Sequence, residues 1–173
     1  MVDIETFSTS MCAHIATIGA VVFDSSGQCF DEMYVRIDED SCKELGLEKD
    51  SACLKWWANQ GKEAQREVFD KDLLRYPIKD ALTMLSDFWI KNNGLLFWCN
   101  GANFDEPILS NAFSKANLVK PWKYWNVRCL RTYVQGLSSN YIRLNSSHNA
   151  LEDCKNQIQL FRKFNARKLI STL

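Results

Sequence analysis

The run VDIETF (2–7) places two carboxylates, Asp3 and Glu5, two residues apart in an otherwise apolar, β-prone segment. Residues two apart on a strand point to the same face. Asp3 and Glu5 therefore project together with Phe7, while Val2, Ile4 and Thr6 point the other way. Two like charges at close range repel, and partial burial raises the cost. A bound cation is the obvious offset. Only Met1 and Val2 precede Asp3, so this strand starts short.

A second group of chemically able residues lies in SSHNALEDC (146–154). Asn149 is suited to cap a helix, with Glu152 three residues later in a capping-box-like pattern. His148 then stands just before the helix and Asp153 in its first turn. On one continuous helix, five residues would turn them about 140° apart, but a histidine on the entering loop can share a site with Asp153. A fourth carboxylate, Asp105, follows WCNGANF, where Gly101 is expected to let the backbone turn closely. Each signal has a plainer reading. Asp105 suits a helix N-terminus, His148 a capping or surface role, and the Asp3/Glu5 pair a solvated strand face. All three plain readings would have to coincide, in this order along one chain, to account for the set.

These residues need a frame. IATIGAVVFD (15–24) reads as a second, nearly all-apolar strand, SSGQ as a turn, and CFDEMYVRI (29–37) as the third strand of a meander. Residues 51–69 read as one or two helices carrying Trp56 and Trp57. Pro77 suits the first turn of the next helix. Ile78, Leu82, Leu85 and Trp89 recur there at helical spacing, and Gly94 is expected to end it. LLFWCN (95–100) reads as a short buried strand, followed by a helix from about Pro107. PWKYWNVRCLRT then leads to a polar loop and a long helix from about residue 150, with Leu151, Cys154, Ile158 and Phe161 facing inward. The order βββ-α-β-α-(β)-α predicts one α/β domain over 1–173, a sheet covered by helices. The acidic residues fall at strand ends and helix starts, where such sheets place their sites.

Composition narrows the chemistry. Lysine plus arginine equals aspartate plus glutamate, 21 of each, and the net charge is zero. That excludes a strongly basic, non-specific nucleic-acid binder, but not an enzyme whose bound metals supply local positive charge. Seven scattered cysteines with no C-x-x-C pair exclude the common zinc-site spacings. With no signal peptide and no long apolar span, the expectation is reduced thiols in a cytoplasmic protein without membrane association.

VDIETF, NGANFDEPIL and HNALEDC together resemble the three motifs of the DEDDh (DnaQ-like) 3′–5′ exonucleases. LKWWANQGKEAQ and PWKYW are most similar to small phage and bacterial exodeoxyribonuclease VIII-like members, and the likeness runs from about residue 2 to 163. The resemblance implies a ribonuclease H-like fold, with a mixed five-stranded sheet made of the three-strand antiparallel meander and parallel strands, flanked by helices. It implies that Asp3, Glu5, Asp105 and Asp153 hold two divalent cations, and that His148 is the general base, since an imidazole can exchange a proton near neutrality. All-oxygen ligation suits Mg²⁺ or Mn²⁺. The implied substrate is the 3′ end of DNA, with RNA as the alternative and a non-catalytic nucleic-acid-binding module as an alternative of another class. Thr6, Phe7, Trp57, Asn103 and Arg131 are the expected substrate contacts. For Phe7 a core position is an equal alternative. Trp56 and Trp57 diverge by about 100° on a helix, so one belongs to the core and the other to a groove wall or a subunit contact, which leaves a homodimer open. His14 is read as structural. Relatives often carry Asp in a D-x-R-T stretch where this chain has Cys129.

Overall fold

A computed structural model describes residues 1–137 and 147–170, the last four by backbone only. The expected polar loop between PWKYWNVRCLRT and the last helix lies mostly outside the described residues. β1 (Val2–Thr6), β2 (Ile15–Phe23) and β3 (Cys29–Arg36) form an antiparallel sheet in that order. β2 is central, and its first seven residues are buried, as its unbroken apolar sequence requires of a strand covered on both faces. Asp3 pairs with Gly19 and Glu5 with Thr17, after which the register shifts so that Thr6 meets Ile15. Ala16 is the extra residue of this bulge, and there the simple alternation along β1 ends.

Three helical segments follow. α1 (Glu39–Glu44) had no counterpart in the sequence reading. It is capped by Asp38, whose carboxylate accepts from the Ser41 amide at 2.8 Å. Residues 51–69 divide into α2 (Ser51–Trp57) and α3 (Lys62–Phe69). Asp50 caps α2 by accepting from the Ala52 and Cys53 amides at 2.7 and 3.3 Å. α4 (Ile78–Lys91) buries Ile78, Leu82 and Leu85 as its spacing predicts. It does not end through Gly94. Asn93 takes the left-handed conformation, φ 49°, and Gly94 is needed for space, because a Cβ there would sit 2.5 Å from the Trp89 ring.

β4 (Phe97–Cys99) leads to α5 (Asp105–Lys115). The aromatic connection forms a 3₁₀ turn at Tyr124–Asn126, then β5 (Val127–Cys129) and α6 (Leu130–Leu137), and the chain closes with α7 (Ala150–Ile170). β4 and β5 pair in parallel, Cys99 opposite Cys129. The expected single five-stranded sheet is thus present as two hydrogen-bonded ladders among the described residues. β4 is only three residues long and packs beside β1 without joining its ladder. The neighbouring Ile4 amide is turned instead to the carboxylate of Asp105.

Both faces of the meander are covered. Val2, Ile4, Ile18 and Val35 pack with α4 and α5 residues into the larger core. On the other face Val21 joins Leu130, Val134, Cys154, Ile158 and Phe161 beneath α6 and α7. This second core holds α7 over β1 and β2, each fully buried aliphatic side chain contributing about 1.5–3 kcal/mol. Gly19 sets how close α7 comes. A Cβ there would lie 2.4–2.5 Å from the backbone of Ala150 and Leu151, and the Cys154 thiol donates to the Gly19 carbonyl at 3.4 Å. No helix among the described residues is long and apolar enough to cross a membrane.

Candidate active site

The period-2 pattern of β1 sends Asp3 and Glu5 to the α7 face, where the first turn of α7 arrives over Gly19. Asn149 caps that helix, accepting from the Leu151 and Glu152 amides at 3.1 and 3.2 Å. The reciprocal half of the capping box is absent, since the Asn149 amide donates to Ser147 Oγ at 3.4 Å. The approach to the helix folds around Asp153. Its Oδ1 accepts from the Ser147 amide and hydroxyl at 2.8 and 3.0 Å, and its Oδ2 from the His148 amide at 3.2 Å. His148 takes a left-handed conformation, φ 55°, which lets the loop turn back over the carboxylate.

One ring nitrogen of His148, one oxygen of Glu5 and one of Asp153 lie within 4.8 Å of one another. Asp105 enters from the first residue of α5 and is buried. Asp3 Oδ1 accepts from Gln157 Nε2 at 2.7 Å, one turn along α7 from Asp153 and on the same face. These groups line one cavity of about 560 Å³. Among the described residues around it, Arg131 is the only lysine or arginine.

The carboxylates feel that shortage of positive charge. Burial, then the charges of Asp105 and Glu5, push the Asp3 carboxyl well above its usual range, against the opposing hydrogen bond from Gln157. Burial, with Asp153 and Asp105, raises Glu5 to about 8. Asp105 is raised to about 7 by burial, despite the Ile4 and Asp105 backbone amides and the Arg131 charge, which favour its ionised form. A cluster of hard oxygen donors held together against its own charge suits divalent cations, so the residues present fit the expected pair of Mg²⁺ or Mn²⁺ ions.

The expected substrate contacts divide. Asn103 is exposed at the cavity and Arg131 lines it. Thr6 and Phe7 do not. The Thr6 hydroxyl donates to the Ser8 carbonyl at 2.7 Å. Beyond the bulge, Phe7 turns into a third small core with Ala16 and Trp57, 3 % exposed and stacked on Phe69 at 5.3 Å. His14 is buried against the Phe7 ring. The tryptophan pair is the reverse of the expectation. Trp57 is 1 % exposed, its indole N–H donating to the Thr6 carbonyl at 2.8 Å, while Trp56 is 45 % exposed. Both present edges or faces to the His148 ring, with centroids 4.9 Å (Trp56) and 5.8 Å (Trp57) away. Gly101 lines the cavity, yet among the described residues a Cβ there would meet nothing nearer than 3.9 Å.

Thr9, Asn100, Phe104, Asn156 and Gln157 also line the cavity and were missed in the sequence. Gln157 had a signal, its i+4 spacing from Asp153. Thr9 and Asn100 lie in loops whose course follows from tertiary packing and carries no periodic pattern.

Known proteins can be compared with this arrangement. Over 166 aligned residues, covering 79% of this chain and 70% of the other, the sequence is 28% identical to a protein of Enterobacteria phage T4 named exodeoxyribonuclease. Residues 1–164 match the family described as the 3′-5′ exoribonuclease Rv2179c-like domain. The match takes in both carboxylates of β1, Asp105, and the His148–Asp153 turn, and with it the chain belongs to that family of DEDDh-like 3′–5′ exonucleases.

Proposed function

We propose that this chain is a metal-dependent DEDDh exonuclease that removes nucleoside 5′-monophosphates from the 3′ end of DNA, acting on single strands or 3′ overhangs. The observation that carries the reading is the convergence of Asp3, Glu5, Asp105, Asp153 and His148 on one cavity, with carboxyl groups raised by burial and mutual charge. Asp3, Glu5, Asp105 and Asp153 would hold two Mg²⁺ or Mn²⁺ ions. When bound, such ions offset the carboxylate charge, activate water and stabilise the departing 3′-oxygen. The His148 imidazole takes the proton of the attacking water, and the Trp56 and Trp57 rings keep it turned toward the carboxylates. Gln157 orients the Asp3 carboxylate. Arg131, lining the same cavity, meets a backbone phosphate, where its planar donors pair well with phosphate oxygens. With β4 beside β1, the two ladders are read as one ribonuclease H-like sheet, in a single domain over 1–173.

DNA is favoured by the similarity to the phage exodeoxyribonuclease. RNA is the second reading, favoured by the exoribonuclease description of the family; a 2′-hydroxyl is told from hydrogen by a few local contacts. Labelled single-stranded DNA, a duplex with a 3′ overhang, and RNA, digested in parallel with Mg²⁺ and with Mn²⁺, test the proposal. Stepwise shortening of DNA from the 3′ end with release of 5′-monophosphates is the expected result. Faster loss of RNA would transfer the assignment to the second reading, and no digestion of any substrate would remove the enzymatic one.

A further inference from the structure

His148 is placed as a donor as well as a base. Its ring nitrogen stands within 4.8 Å of one oxygen each from Glu5 and Asp153, and those two oxygens are also within 4.8 Å of one another. Zinc bonds of about 2.0–2.2 Å put tetrahedral neighbours roughly 3.3 Å apart. Side-chain rotations that close the remaining distance would let one ion touch all three. The groups are also prepared for it. The imidazole is braced by Trp56 and Trp57, and the Asp153 carboxylate is oriented by the Ser147 and His148 amides. Such support around a ligand tightens a metal site. One imidazole with two carboxylates is a donor set that Zn²⁺ accepts readily, whereas Mg²⁺ prefers oxygen alone.

We propose that Glu5, His148 and Asp153 form a zinc site overlapping the exonuclease centre, and that Zn²⁺ inhibits the enzyme by engaging the imidazole needed as its base. The inhibition rests on the exonuclease reading; the binding site does not. An imidazole whose nitrogen donates its lone pair to a metal cannot also accept a proton there, and Glu5 and Asp153 are withdrawn from the Mg²⁺ or Mn²⁺ sites at the same time. The experiment adds Co²⁺, a visible stand-in for Zn²⁺, to metal-free wild-type protein and to His148→Ala. In the wild type a four-coordinate visible band is expected, abolished by stoichiometric Zn²⁺. In His148→Ala the band is lost and Zn²⁺ affinity falls by at least the roughly 10–100-fold that loss of a supporting group costs. Mn²⁺ affinity, measured by calorimetry, stays within a few-fold and shows that the variant is folded. A band that persists in His148→Ala, as thiol ligands elsewhere would give, overturns the site, as does unchanged Zn²⁺ affinity. Digestion with Mn²⁺ separates the two readings. A wild type that shows the band but digests no nucleic acid removes the exonuclease reading and leaves the zinc site standing. Digestion that continues undiminished once Zn²⁺ has filled the site overturns the inhibition.

Discussion

At the scale of single residues, the site depends on how differently its members serve it. His148→Ala should lower turnover on 3′-labelled single-stranded DNA by roughly the 10²–10⁴-fold typical of a lost general base, with Mn²⁺ affinity little changed. Asp153→Ala should lose both, because its carboxylate is proposed as a ligand and is also what the loop before α7 folds around. Equal losses of Mn²⁺ affinity in the two variants would show that the histidine is a ligand for hard metals too. Asp3→Asn should nearly abolish activity yet melt at or above the wild-type temperature in EDTA. The Asp3 carboxyl is raised by burial and by its acidic neighbours, so removing its charge relieves repulsion, and an amide oxygen can still accept from Gln157. A clearly lower melting temperature in EDTA would refute that account.

At the scale of elements, the contact between β2 and the first turn of α7 decides whether the site assembles. Gly19 faces backbone, which cannot rotate away, at 2.4–2.5 Å from where a Cβ would be. Gly19→Ala should therefore push α7 off the sheet, destabilise the protein by about 1–3 kcal/mol, and weaken Mn²⁺ binding as Asp153 moves from Asp3 and Glu5. Gly136 in α6 is the contrast, with nothing among the described residues within 4 Å of an added Cβ. Gly136→Ala should stabilise by about 0.5–1 kcal/mol through helix propensity. Chemical denaturation of the two variants beside the wild type measures both effects. Similar signs for the two would mean that the close approach at Gly19 is not what holds α7 in place.

At the scale of the whole molecule, the proposed metal site should couple stability to metal content. The folded protein holds protons on Glu5 and Asp105 up to about pH 8 and about pH 7, while the unfolded chain releases them near pH 4. Between those limits the folded state binds more protons, so stability present below about pH 4 is lost as pH rises and levels off once the folded groups have ionised. Metal-free protein should accordingly melt higher at pH 5 than at pH 8. Mn²⁺ should raise the melting temperature most at pH 8, because it binds the assembled site and not the dispersed carboxylates. Scanning calorimetry with EDTA and with Mn²⁺ at both values tests this, and a melting temperature indifferent to Mn²⁺ at pH 8 would count against the metal-dependent reading.

Much of this was legible in one dimension because it follows from local periods. Alternation along β1 is enough to pair Asp3 with Glu5 and to send Val2 and Ile4 to the opposite core. A cap at Asn149 with inward Cys154 and Ile158 is enough to start α7 and bring Asp153 into its first turn. What escaped was set by long-range packing. The bulge opposite Thr6 ends the alternation and carries Phe7 into the core. The choice between Trp56 and Trp57 depends on which indole reaches the Thr6 carbonyl. Gly19 looks like an ordinary break in an apolar strand until α7 lies across it. The sequence by itself determined which residues carry charge and which face of each element they occupy, because those follow from strand and helix periods. Only the tertiary structure decided that four elements and a loop bring those charges to one cavity and which aromatic edges hold the histidine, because these depend on how closely the packed backbones approach.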